Sequence, residues 1–212
     1  MEMTEVLKKK SDLHITRKVF HCLGILVIVF VYVRLTHVEA LKAASILAIS
    51  AILTDFFRLR YSGVNRIVIK ALGPVMRESE KNAISGSTAL MIGTLTIIYL
   101  FPRNIVTLAL LFLAVGDPLA SYVGIKYGRD KLLNNKSLQG AVGAFFACTL
   151  ISLVFYYSKN LMLDRILIVS LLSGLLGAFS ELISLGKLDD NFTFPVLSSC
   201  FLYILFFLFG GS

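Results

Sequence analysis

Apolar runs separated by short polar and basic segments recur along the whole chain. Seven of them read as membrane-crossing helices, at residues 19–34, 40–58, 86–101, 104–123, 139–157, 165–185 and 192–209. A helix rises ~1.5 Å per residue, so runs of this length approach the ~30 Å of a bilayer's hydrocarbon core. Segment 61–82 has a different pattern. Val64, Ile67, Val68 and Leu72 fall at helical spacing opposite Asn65, Arg66 and Lys70, as in a short amphipathic helix lying on the membrane surface. The expected fold is an all-α, polytopic transmembrane helical bundle. With no linker, composition shift or internal repeat, residues 1–212 are expected to form a single integral-membrane domain.

Charge gives the bundle a direction. A segment ending in Lys8, Lys9 and Lys10 precedes the first run. No A-x-A cleavage pattern follows it, so this run is expected to stay as a helix rather than leave as a signal peptide. With the N-terminus inside, sixteen of the 21 Lys and Arg residues fall on inner segments and five on outer ones. That bias predicts an N-in, C-out topology.

Composition sharpens this reading. The chain is 57% hydrophobic, with mean hydropathy +0.81 and net charge +8. A basic membrane protein of this kind meets anionic lipid at its cytoplasmic face. No basic patch interleaved with aromatics suggests a nucleic acid partner. Cys22, Cys148 and Cys200 are far apart in apolar runs without a CxxC, so they are expected to be reduced packing residues.

The polar residues inside the apolar runs carry the chemistry. Asp55, Asp117 and Glu181 lie toward the inner ends of the second, fourth and sixth spans. There the helix dipole is negative and opposes a carboxylate, so cationic compensation is expected nearby. The odd spans begin on the same side, with "RKVFH", "SGST", "KSLQG" and "LDDNFTFP". Helix N-termini with Ser, Thr, Gly and Lys suit phosphate oxygens. Carboxylates and such donors at one level describe a polyphosphate–metal site. Each feature also has a plainer reading. Asp117 could pair with a buried cation, and Pro118 could simply kink its helix by freeing the Ala114 carbonyl. Ser85 and Ser87 could be caps, as could Asp189, Asp190 and Asn191. Arg17 and Lys18 could be positive-inside anchors, with His21 one turn on from Arg17 as a secondary candidate. Glu181 shares a face with Ser170, Ser173, Gly174 and Gly177, which suits close helix packing.

Four segments together resemble a known family. "TRKVFH", "VGDPLASYVGIKYGRDK", "NKSLQGAVGAF" and "ELISLGKLDDNFTFPVLSS" are similar in order and spacing to the CTP-dependent lipid kinases: dolichol kinase, phytol kinase and CTP-dependent diacylglycerol kinase. The middle part also resembles phosphatidate cytidylyltransferase. However, Gln139 stands where that enzyme has a Glu, and its longer C-terminal signature has no counterpart here. The resemblance implies phosphoryl transfer from CTP to a lipid alcohol with Mg²⁺. It implies Asp117 as a metal ligand, with Asp190 or Glu181 as the second. Lys136, Arg129 and Arg17 would neutralise phosphate charge, and Asp55 or Glu181 would orient the alcohol. Lys18, Ser85, Ser87, Gly116, Ser137, Gly140 and Asn191 would complete the nucleotide's contacts. Expected partners are the lipid alcohol, CTP and membrane lipids, with the site facing the cytoplasm of an inner or endoplasmic reticulum membrane. Two alternatives stand beside this reading: cytidylyl transfer, and a cation-coupled transporter. A transporter would place its acids near the midplane with access to both faces, whereas these cluster on one face. No Walker A or GxGxxG motif is present.

Overall fold

The computed structural model describes residues 15–133, 136–183 and 188–211. Lys8 to Lys10, Asn134 and Lys187, which entered the charge argument or the motifs above, lie outside the described residues. The described chain is helical throughout, and each of the seven expected spans is a helix. They are α1 (Ile15–Tyr32), α2 (His37–Arg60), α4 (Gly86–Leu100), α5 (Arg103–Leu111) continuing into α6 (Asp117–Tyr127), α7 (Leu138–Lys159), α8 (Ile166–Leu182) and α9 (Asp190–Phe209). Among the described residues, five helices are long and apolar enough to cross a membrane: α2, the continuous Arg103–Tyr127 unit, α7, the Leu163–Leu182 unit and α9. At 15 residues, α4 is shorter, about 22 Å at the helical rise.

The expected surface helix is α3 (Ser62–Leu72), and it ends earlier than the pattern suggested. Two short 3₁₀ turns, Gly73–Val75 and Glu78–Asn82, complete the segment. Gly73 and Pro74 account for the break, since proline cannot continue the helical hydrogen bonding. Ile67 is 70% exposed and Ile69 is buried, so α3 has apolar groups on both its outer and inner sides.

Caps decide where several helices begin. Thr36 and Glu39 form a reciprocal capping box on α2. Ser85, Ser137 and Asp189 cap α4, α7 and α9 with their side chains. Asn160, in the left-handed region at φ 53°, ends α7, and Gly210 at φ 73° ends α9.

The fourth span is the axis of the bundle. Ile105, Val106, Leu108, Ala109, Leu110, Phe112, Leu113 and Ala114 are all essentially fully buried. The turn Phe112–Gly116 is π-helical. Pro118 has no N–H to donate and its ring would crowd the Ala114 carbonyl, so a widened turn just before it relieves the conflict. The expected kink thus takes the form of a π segment that delivers Asp117 at the start of α6. Around this axis, α1, α7 and α9 pack directly on α5 or the π segment, and α2 packs on α4. Only 22% of the apolar window of α2 is buried, against 44% for α7 and α9, so α2 is peripheral.

Small residues bring the backbones together. Cys148 of α7 is wedged between two helices. A Cβ on Gly116 or on Gly177 would lie 2.8 Å from its Sγ. All three cysteines are free. On α8, a Cβ on Gly174 would lie 2.8 Å from the Phe145 carbonyl oxygen of α7. Gly174→Ala should therefore force the two backbones apart and cost about 1–3 kcal/mol. Gly24→Ala, which meets nothing within 4 Å, serves as control. Thermal melting in detergent checks this: the Gly174 variant melts lower and the Gly24 variant does not.

Candidate active site

One buried acid finds its cation through local sequence. Asp55 and Arg58 lie one turn apart on α2, and Arg58 Nε donates to Asp55 Oδ1 at 2.5 Å. Arg58 is 1% exposed. Its two remaining nitrogens donate to the carbonyls of Glu80 (2.9 Å) and Ala83 (2.5 Å). The other Asp55 oxygen accepts from the Ser85 N–H at 2.8 Å and the Ser85 hydroxyl at 3.1 Å. Asp55 thus binds α2 to the entry of α4, and both its oxygens are engaged. Ser85 caps its own helix by accepting from the Thr88 N–H.

A second group gathers at the start of α1, α4 and α9. Arg17 donates to Glu80 at 3.1 Å, and Arg77 donates to Asp189 at 3.3 Å. Asn191 Nδ2 donates to the Gly86 carbonyl at 3.1 Å. The approach of α4 to α9 needs the missing side chain at Gly86, since a Cβ there would lie 2.6 Å from Asn191 Nδ2. The expected candidates Arg17 and Asn191 belong to this group. Glu80, Arg77 and Asp189 join them, and Glu80 was not anticipated.

The third group centres on Lys136. Its ammonium meets Glu181 Oε1 at 3.1 Å and Asp190 Oδ2 at 3.7 Å, and it also donates to the Glu181 backbone carbonyl. A folded loop holds Lys136 there. Leu132 N–H donates to the Lys136 carbonyl at 2.7 Å and Leu138 N–H to the Asp130 carbonyl at 2.9 Å. Gln139 clips the loop by accepting from the Arg129 and Asp130 N–H groups and donating to Asp130 Oδ2 at 2.8 Å.

Asp117 lies between these groups. It is half-buried, and its carboxylate makes no hydrogen bond or ion pair with any described residue. It is within electrostatic reach of Lys18, His21 and Glu181. Lys18 Nζ and His21 Nε2 are themselves buried without a hydrogen-bond partner. A carboxylate and two unsatisfied nitrogen groups thus make up one polar cluster near the start of α1 and of α6, the polar chamber. Groups left unpaired in this way are costly unless a ligand completes them.

Other candidates fall elsewhere. Gly116 and Gly140 sit in helix–helix contacts; a Cβ on Gly140 would lie 2.8 Å from the Ala120 carbonyl oxygen. Ser137 caps α7 through the Gly140 N–H. Ser87 and Arg129 are exposed. Among the described residues, no three His, Cys, Asp or Glu side chains converge into a ready metal site.

The chain is similar to proteins named CTP-dependent diacylglycerol kinase 1. That of Schizosaccharomyces pombe is 36% identical over 167 residues, covering 74% of this chain and 77% of the yeast protein. That of Saccharomyces cerevisiae is 29% identical, covering 89% and 72%. That of Eremothecium gossypii is 30% identical, covering 90% and 67%. No family model matches the chain, and no solved structure matches it.

The pairing scheme predicts which acid is structural. Asp55→Ala strands a buried guanidinium and the Ser85 N–H, at a cost on the order of 3–5 kcal/mol. The expected result is a large fall in melting temperature and in folded yield. A variant melting like wild type would show that the Asp55–Arg58 pair does not hold α2 to α4.

Proposed function

The chain belongs to the CTP-dependent diacylglycerol kinase family and phosphorylates a lipid alcohol from CTP, and from that premise we propose diacylglycerol as the acceptor, Mg²⁺ as the metal and the polar chamber around Asp117 as the site. The observation that carries the assignment of the site is the unpaired triad of Asp117, Lys18 and His21. Elsewhere in the inner half of the bundle, buried charges are already neutralised by one another.

The donor set suits Mg²⁺. This ion is held by one or two carboxylates together with substrate phosphates rather than by an all-protein cage. Asp117 would supply the first carboxylate and Asp190 the second. When bound, the metal neutralises charge on the β- and γ-phosphates. The chain's own residues supply the rest. Lys18 and Arg17 reach the phosphates from the start of α1. Lys136, now bonded to Glu181 and Asp190, turns to the phosphates and releases both acids. His21 offers a nitrogen at the same level. Glu181 then orients the lipid hydroxyl and accepts its proton as the oxygen attacks the γ-phosphorus. The bond from that phosphorus to the β-bridging oxygen breaks, and CDP leaves. Arg77, Glu80 and Asp189 position Arg17 and the first turn of α9. In this scheme Asp55 keeps α4 in place and does not touch the alcohol.

We place the chamber on the cytoplasmic side with seven crossings, because the basic residues concentrate there. Cysteines at Tyr127 and Lys159, at opposite ends of adjoining helices, test this. An impermeant thiol reagent should label the first only from inside and the second only from outside. The reverse pattern would invert the topology.

The reaction is tested with purified protein, Mg²⁺, diacylglycerol and CTP labelled at either the α- or the γ-phosphate. Label from the γ-position should enter the lipid and label from the α-position should not. Lipid labelled from the α-position would make the enzyme a cytidylyltransferase instead. In the same assay, Asp117→Asn should lose turnover by orders of magnitude while melting as high as wild type or higher without nucleotide, since it removes an unpaired charge. The melting shift caused by Mg²⁺ and CTP together should shrink. A variant that melts far lower yet turns over normally would make Asp117 a packing acid.

A further inference from the structure

Helix α1 packs on α5 and the π segment, while α2 packs on α4. Between α1 on one side and α2 and α4 on the other is an apolar cleft of about 160 Å³. Its walls include Val27 and Ile28 of α1, Ala43 and Leu47 of α2, and Met91 and Thr94 of α4.

The cleft lies farther along the face of α1 that carries His21. On α1, His21, Ile28 and Tyr32 recur at i, i+7 and i+11 and so share a face. His21 belongs to the chamber, whereas Ile28 and Tyr32 line the cleft. On α4, Met91, Thr94 and Ile98 recur at i, i+3 and i+7 and line the cleft. The α1 stripe runs about 16 Å along its helix from His21 to Tyr32.

Thr94 lies between Met91 and Ile98 on the α4 wall. Its neighbour Gly93 touches the first turn of α9, where a Cβ would lie 3.2 Å from the Asn191 carbonyl oxygen. That turn also holds Asp190. Thr96 and Thr107 donate their hydroxyls to the carbonyl four residues back, each at 2.8 Å. Thr94 is 3% exposed and its hydroxyl has no partner. A buried donor without an acceptor, in a wall otherwise made of carbon, is an incomplete hydrogen bond.

We propose that this cleft holds one ester-linked acyl chain of the lipid substrate, with the Thr94 hydroxyl donating to the ester carbonyl at its head. The proposal rests on the diacylglycerol reading above and assigns the chain's seat. The hydroxyl to be phosphorylated would then lie in the chamber beside Asp117 and Glu181. The acyl chain would follow the two stripes toward Tyr32, entering sideways from the bilayer between α1 and α2.

The test uses the full chain in phosphatidylcholine nanodiscs. A diacylglycerol with a photoreactive group near the end of one chain should label peptides of α1, α2 or α4. Unlabelled dioleoylglycerol should compete that labelling away. This arm needs no variant, so it does not depend on a mutant folding. Ala43→Trp fills the cleft. It should raise KM for dioleoylglycerol roughly tenfold, the factor for about two methylenes kept out of an apolar slot, and leave KM for CTP unchanged. Thr94→Val should raise the same KM by about five- to tenfold, the worth of one hydrogen bond. Labelling on other helices, or labelling that dioleoylglycerol does not compete, would mean that the cleft holds bulk lipid and would overturn the proposal. So would wild-type kinetics in the Ala43 variant. Failure of the family reading looks different, because the wild-type protein would then transfer no γ-phosphate to diacylglycerol at all.

Discussion

The structure depends on the cost of a charge in a low-dielectric helix end. A carboxylate placed at the C-terminal end of an apolar helix is opposed both by desolvation and by the helix dipole. The chain meets this cost at Asp55 and Glu181 with cation partners, and it pairs Glu80, Asp189 and Asp190, which lie outside helix C-terminal ends, as well. Asp55 has Arg58, Glu80 has Arg17, Asp189 has Arg77, and Glu181 and Asp190 share Lys136. These pairs also fasten the bundle, since all but the first join segments distant in sequence. Arg58 extends the local pair into a junction by donating to carbonyls of the 3₁₀ segment and the loop before α4. The end of the bundle where α1, α4, α7 and α9 begin is thus held by ionic and polar contacts, and the remainder mainly by apolar packing about α5.

Against that pattern, Asp117 stands apart among the buried and half-buried acids of the described residues. Its neighbours Lys18 and His21 are close enough to feel its charge, yet their buried nitrogens make no hydrogen bond. The π turn before Pro118 supports this arrangement. A regular helix would have to accommodate the proline ring against the Ala114 carbonyl; the widened turn avoids that and sets the start of α6 at the chamber. The short α4 contributes as well. Its first residue, Gly86, accepts from Asn191 and so joins the start of α9 to the group around Arg17.

Much of this was legible in the sequence. The apolar runs located the helices to within a few residues, because a lipid-facing or core-facing helix must be apolar over a fixed length. Asp117, Glu181, Lys136, Asp190, Arg17, Lys18 and Asn191 were legible as polar residues near the inner ends of such runs, and they do lie in adjoining groups. The pairing between them was not. Asp55 and Asp117 look alike as isolated acids in apolar runs, and only the third dimension shows that one has Arg58 and the other has no such partner. Glu80 was missed because segment 61–82 has the composition of a solvated surface helix. Its signal was the burial of Arg17, which needed an acid from elsewhere in the chain. Gly116 and Gly140 carried an ambiguity that sequence cannot resolve, since a glycine suits a phosphate cradle and a close helix contact equally. The volumes around them, filled by Cys148 and by the Ala120 carbonyl, indicate helix contact.

Gln139 shows how one residue links loop geometry to the choice of chemistry. Its side-chain oxygen accepts from two consecutive backbone N–H groups, while its nitrogen donates to Asp130. A glutamate at this position could accept the first two bonds but could not make the third. It would instead set a second carboxylate beside Asp130, and like charges at hydrogen-bonding distance repel. The loop that holds Lys136 against Glu181 and Asp190 is therefore built for an amide. A chain with glutamate here would need a different loop, or a cation in place of Asp130, and would deliver its lysine differently. The Gln at this position thus holds together the loop that carries Lys136. It ties the departure from the cytidylyltransferase pattern to the geometry of that loop.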